Sequence, residues 1–305
     1  FCSAAIGDIL NFRIQAFVPK YHKDKRVYRY TFTDEMDAGL TYDADSIVLK
    51  IGNTILNNPN NYTVEIEGQK IIIALKAKES MGYPADANVE ISYSAAVNET
   101  AIHENTNSVS MTWTEFDPEA DPNDPNNLQS PDPENSPPTV FTKTYVYGFN
   151  LHKYKEEALP GNSLDGAEFR LYTAASNGEE IQLVKVAGKQ YRKALNSEAG
   201  ETILAGEAKI FGLDTGLYWL EETRAPDGYN QLTGRVAVEI SEENTTEGYL
   251  QNEVQIINKA GITLPTTGGV GTHIFYLTGS LLMLAALLFL IRKTKQSISK
   301  DNKRI

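Results

Sequence analysis

The sequence predicts an all-β protein: two β-sandwiches in tandem, followed by one C-terminal transmembrane helix. Three observations carry this. Short runs of alternating apolar and polar residues recur along most of the chain, a proline- and acid-rich stretch divides them into two groups, and an apolar run of helical length stands near the end. Strict alternation places every second side chain on one sheet face, which is the mark of a half-buried strand.

In the first group, Leu10, Phe12, Ile14, Ala16 and Val18 alternate with polar residues, and Tyr28, Tyr30 and Phe32 follow. Further strands are expected at Val48–Ile51, Tyr62–Ile66, Lys70–Leu75, Val89–Tyr93 and Val109–Trp113, separated by turn clusters such as Gly52-Asn53 and Asn57-Asn58-Pro59-Asn60. Many short strands at this spacing predict an immunoglobulin-like sandwich over residues 1–116. Asp34 shares the parity of Tyr30 and Phe32, so a carboxyl falls on the inward face unless the strand has already turned.

Residues 117–141 read as a linker. Seven prolines lie among Asp, Glu and Asn between 117 and 138, with too few apolar side chains to build a core. The prolines also spoil any compact calcium loop.

A second sandwich is expected over 142–260. Tyr145, Tyr147, Phe149 and Leu151 share a face that Lys153 continues. Tyr218 and Leu220 share a face that Glu222 continues, and Val254 and Ile256 one that Asn258 continues. A lysine, a glutamate and an asparagine thus take core positions on the first, a middle and the last strand. Burial favours the neutral, nucleophilic amine and the protonated acid. A protonated Glu222 would polarise the Asn258 carbonyl, the Lys153 amine would attack, and ammonia would leave, closing a Lys–Asn isopeptide bond.

The apolar run Ile274–Ile291 is long enough as a helix to cross a bilayer's ~30 Å core. It is followed by six basic residues and one acid, which orient the tail to the cytoplasm and the rest outside. The net charge is −12, and −17 without the segment after Gly268; a surface this acidic argues against nucleic-acid binding and suits an exported protein. Cys2 is the single cysteine, so internal disulfides are excluded. The four histidines show no metal spacing and no nucleophile motif occurs, so no enzyme, cofactor or metal site is expected.

Leu264-Pro265-Thr266-Thr267-Gly268, the apolar helix and the basic tail together resemble the cell-wall sorting signal of Gram-positive surface proteins. A plain single-pass anchor would lack the pentapeptide. The resemblance implies that a sortase transpeptidase cuts between Thr267 and Gly268 and passes the chain to an amine, so 261–268 is the sorting region and 269–305 the part removed.

Tyr218-x-Leu220-x-Glu222-Thr223-x-Ala225-Pro226-x-Gly228-Tyr229 resembles the motif of collagen-adhesin B-type domains, and Leu164-x-Gly166-Ala167-x-Phe169-x-Leu171-Tyr172 the strand after their donor lysine. With Ile6-Gly7-Asp8, Thr33-Asp34 and Gly39-Leu40-Thr41, the chain is similar to sortase-assembled backbone pilins. This resemblance implies that Lys153 is the donor, Glu222 the catalytic acid and Asn258 the acceptor of a self-formed bond. It matches Asp34 to the first domain's acid, with the acceptor position at Glu115 and the donor lysine at or before Phe1. A cross-link there is therefore not expected. The polymerisation lysine would also lie upstream, the chain being read as N-terminally truncated; Lys20 in Phe17-Val18-Pro19-Lys20 is a loop residue.

The expected function is a structural pilus shaft subunit at the cell surface, with sortase, neighbouring pilins and peptidoglycan as partners and host ligands as further ones. The alternative is a wall-anchored adhesin that binds host matrix without polymerising.

Overall fold

The computed structural model describes residues 1–18, 26–76, 86–116, 138–242, 252–261 and 270–301. Residues 1–260 form one compact unit and 261–305 another.

The first ten strands are β1 (Cys2–Ser3), β2 (Ile9–Phe17), β3 (Arg26–Met36), β4 (Leu40–Ile51), β5 (Thr54–Ile55), β6 (Tyr62–Glu67), β7 (Lys70–Lys76), β8 (Asn88–Val97), β9 (Glu104–Phe116) and β10 (Val140–Tyr145). They build a six-stranded sheet in the order β1-β10-β9-β3-β7-β6 and a four-stranded sheet β2-β8-β4-β5. Tyr30, Phe32, Ile71, Ile73 and Leu75 from the first sheet meet Leu49, Val89, Ile91 and Ala95 from the second in one core. Alternation is visible along β2, where Leu10, Phe12, Ile14 and Ala16 turn inward between exposed neighbours.

The second sandwich comprises β11 (Tyr147–Lys155), β12 (Glu168–Tyr172), β13 (Glu180–Ile181), β14 (Leu183–Ala187), β15 (Gln190–Lys193), β16 (Ile203–Leu204), β17 (Glu207–Leu213), β18 (Gly216–Arg224), β19 (Val236–Ile240) and β20 (Asn252–Asn258). One sheet runs β14-β15-β17-β11-β20, the other β13-β12-β18-β19, with β16 beside β12. Phe149, Leu151 and Ile210 on the first face Phe169, Leu171 and Leu220 on the second. The first and last strands, β11 and β20, are parallel neighbours.

The strand Val140–Tyr145 departs from expectation. It pairs antiparallel with β9 of the first sandwich, so residues 142–145, assigned from the sequence to the second domain, extend the first domain's sheet. Tyr145 and Tyr147 do not share one strand face: Val146 interrupts the pairing, bonding through its N–H to the His103 carbonyl at 2.9 Å. Alternation by itself cannot reveal that a chain changes sheets between two residues of equal parity.

The segment before β2 ties the sandwiches together. Ala4 N–H donates to Tyr145 O, Ile6 N–H to Gly212 O and Gly7 N–H to Val97 O. Gly212 has a φ of +82°, a backbone conformation that favours glycine, and a Cβ there would also press on the end of the Ile6 side chain at 2.6 Å.

In the other unit, the helix α1 (Val270–Asp301) contains the apolar span Phe275–Lys293, with a mean hydropathy of 1.9 and none of it buried against protein. Nineteen residues at 1.5 Å each reach about 28 Å, a bilayer core's thickness. Leu264–Gly268 and the linker residues 117–137 lie outside the described residues.

Candidate functional site

The second sandwich buries three polar side chains at one end of its core. Lys153 is 0% exposed, Asn258 1% and Glu222 2%. The parity of their strands puts them there: Lys153 follows Phe149 and Leu151 along β11, Asn258 follows Ile256 along β20, and Glu222 follows Leu220 along β18 in the facing sheet. The lysine and asparagine therefore come from one sheet and the acid from the other.

The Lys153 Nζ donates a very short hydrogen bond to Asn258 Oδ1. Glu222 Oε1 lies 3.5 Å from Lys153 Nζ and accepts from Asn258 Nδ2 at 2.8 Å. The other carboxylate oxygen accepts the Leu232 backbone N–H at 2.9 Å, and the Gln231 side chain donates to the Glu222 carbonyl. These two bonds clamp the glutamate from the loop after β18. The Phe169 ring centroid lies 5.7 Å from the Lys153 nitrogen. Burial pushes the Lys153 pKa below the usual lysine value, against the opposing pull of Glu222.

The carboxyl thus faces the nitrogen of the Asn258 amide, and the lysine faces its oxygen. The sequence reading had the acid on the carbonyl. The difference follows from Lys153 occupying the oxygen side, which leaves Glu222 the side from which ammonia would depart.

The first sandwich also buries an acid. Asp34 is 1% exposed on β3, so its strand continues inward rather than turning to solvent. Tyr42 Oη donates to Asp34 Oδ1 at 2.6 Å and Tyr93 Oη to Oδ2 at 2.5 Å. Burial raises the Asp34 pKa, and the hydrogen bonds from Tyr42, Tyr93 and Asn107 oppose it. Glu115, the position matched to the acceptor, pairs with Val27 at the far end of β9. The amide near the acid is Asn107, which sequence reasoning missed. It shares the face of Val109, Met111 and Trp113 but stands before them in the polar run Glu104–Ser108, where no apolar neighbour marks it as inward.

The comparisons with known proteins follow the same division. Residues 6–115 match the family described as Gram-positive pilin backbone subunit 2, Cna-B-like domain, residues 149–254 the prealbumin-like fold domain, and residues 256–297 the LPXTG cell wall anchor motif. The chain carries, in order, the domains of a Gram-positive backbone pilin.

A curated relative of this pilin is the trypsin-resistant surface T6 protein of Streptococcus pyogenes serotype M6. It is 22% identical over 96% of the chain, which spans 66% of the relative's length. Among solved structures, the group B streptococcus pilus 2b backbone protein superposes with a TM-score of 0.65 at 17% identity, covering 87% of this chain and 97% of that one. The major pilin subunit BcpA of Bacillus cereus gives 0.55 at 22% identity, covering 85% and 67%. At these identities the likeness establishes the shared fold of tandem all-β domains. The anchor match, together with the apolar helix, places the pilin at the cell wall, its precursor held by the membrane.

Proposed function

We propose that this pilin is a shaft subunit of a pilus, joined end to end and to peptidoglycan by sortase, and stabilised by an isopeptide bond between Lys153 and Asn258. The domain plan behind this reading is a first sandwich over 1–116 extended by Val140–Tyr145, a linker, a cross-linked second sandwich to 260, the sorting region 261–268 and a removable anchor at 269–305. Sortase would attack after Thr267. The observation that carries the reading is the buried contact of Lys153 with Asn258, flanked by Glu222.

The chemistry starts from the ammonium–carboxylate pair. One proton passes from Lys153 Nζ to Glu222, which gives a neutral amine and a neutral acid; burial favours this form over two charges. The amine attacks Asn258 Cγ. Glu222 then gives its proton to Nδ2, which leaves as ammonia, and takes one from the attacking nitrogen. A C–N bond replaces a C–N bond, and the acid ends protonated. Enclosure between two rigid sheets supplies the proximity that an amide exchange in water lacks.

The resulting bond would join the first and last strands of the domain. Tension entering at β11 and leaving at β20 would then bypass the hydrogen bonds between them, which suits a load-bearing shaft. Tryptic mapping tests the bond: a branched peptide joining Lys153 to Asn258 is expected, and separate peptides carrying free Lys153 and Asn258 would overturn it.

A further inference from the structure

Asn258 is the last residue of β20, a strand at the edge of its sheet that pairs with β11. The end of an edge strand is where a sheet opens most readily. An opened end would carry the amide away from both Lys153 and Glu222. Here the chain is held past the last paired residue.

The ladder of β11 with β20 reaches Lys155 opposite Asn258, which makes Glu156 and Lys259 the next rung. In a parallel rung one residue bonds its neighbour strand twice, through its N–H and through its carbonyl. Glu156 makes the first bond in the ordinary way, its N–H donating to Asn258 O at 3.0 Å. The second comes from its side chain. At φ +57° the backbone of Glu156 turns left-handed as β11 ends, and Oε1 accepts the Ala260 N–H at 2.7 Å. The carboxylate thus stands where a continuing strand would offer a backbone carbonyl. A left-handed φ is uncommon for glutamate, and its strain must be offset by the contacts around it.

The other side of the same three residues meets the loop after β18. Asn230 N–H donates to Lys259 O at 3.1 Å. The next two residues of that loop, Gln231 and Leu232, hold Glu222. One short segment therefore grips the acid and the acceptor strand together, while Glu156 grips the acceptor strand from the strand that carries Lys153.

We propose that Glu156 is a positioning residue for the Lys153–Asn258 bond, its carboxylate holding the end of β20 in register so that the Asn258 amide stays between Lys153 and Glu222. The role rests on the cross-link put forward above. It adds no proton transfer: Glu156 acts on the acceptor through the backbone of Ala260, and the bond-forming chemistry stays with the three buried side chains.

The test is the rate of cross-linking in the full chain made by cell-free translation, sampled over time and read by intact mass as the loss of one ammonia. Glu156→Ala should slow the reaction roughly fivefold, the ratio expected for one net hydrogen bond. Glu156→Gln keeps an oxygen for the Ala260 N–H and should restore the rate. Glu156→Gly relieves the left-handed backbone but lacks that oxygen, and should remain slow. Sucrose favours the compact state and would correct a mere folding deficit, whereas a positional one persists in it. A parent-like rate in Glu156→Ala or Glu156→Gly, a Glu156→Gln as slow as Glu156→Ala, or full recovery of Glu156→Ala in sucrose overturns the positioning role and leaves the cross-link standing. A parent chain that never loses ammonia overturns the cross-link itself, and this role with it.

Discussion

Lys153 stands opposite Ile256, not opposite Asn258, in the parallel pairing of β11 with β20. The backbone partner of Asn258 is Lys155, at the strand end and exposed. Lys153 therefore reaches its asparagine diagonally, across two residues of strand, about 6.6 Å at 3.3 Å each. The extended lysine side chain covers that offset and meets the Asn258 amide. Its approach along the strand brings Nζ to the oxygen side of the amide and leaves the nitrogen to Glu222.

The first prediction follows from that division of the amide. Glu222→Gln keeps the shape but removes the acid that carries protons between Nζ and Nδ2, so the full chain should retain one more ammonia in its mass. Glu222→Ala should do the same and destabilise further, because it leaves the Lys153 charge buried without a partner, at a cost of about 3–5 kcal/mol. Rescue of the linkage in Glu222→Asp, even if slow, would separate chemistry from packing; a linked Glu222→Gln would contradict the assigned role.

Stability gives a second prediction. The closed loop joins residues 105 apart. By the chain-entropy argument used for disulfides, such a closure is worth roughly 4–5 kcal/mol. Lys153→Met, which conserves volume and cannot cross-link, should lower the unfolding free energy of the second sandwich by about that much, read as a lower denaturant midpoint. A variant as stable as the parent would mean that the bond is absent or strained.

A pH prediction concerns a different pair. Arg192 forks onto Glu198 at 2.6 and 2.5 Å, and the Leu195 N–H adds a third bond at 2.7 Å. The Arg192 side chain first, then this backbone bond, hold the Glu198 pKa down to about 2. A depressed carboxyl contributes stability that is fully present above its unfolded value, 4.5, and lost as pH falls toward 2. Glu198→Gln should therefore destabilise at neutral pH, and its difference from the parent should shrink on acidification over that window. Equal differences at neutral and acid pH would contradict the pairing.

For the sorting region, wall-released material should end in Thr267 amide-linked to an amine. A mature protein that retains Ile274–Ile291 would leave only a membrane anchor.

Much of this was legible because period-two alternation is a direct consequence of strand geometry. Lys153, Glu222 and Asn258 each continue an apolar face, so their burial could be read from parity alone. Asn107 could not, since it precedes its apolar face in a run of polar residues, and its partner Tyr93 reads as an ordinary core aromatic. The clamp from Gln231 and Leu232 comes from a loop, where no period applies. The sheet change at Val146 was hidden because Tyr145 and Tyr147 have equal parity on either side of it. The orientation of the Asn258 amide depends on which neighbour takes the oxygen, and spacing does not encode that.

The most direct test of the central claim is the mass of the branched peptide. Digestion of the full-length folded chain should yield one species containing both Lys153 and Asn258, lighter by one ammonia than the sum of its two peptides. Recovery of the two peptides separately, with Lys153 open to amine reagents after denaturation, would contradict the cross-link and with it the load-bearing role proposed for the second sandwich.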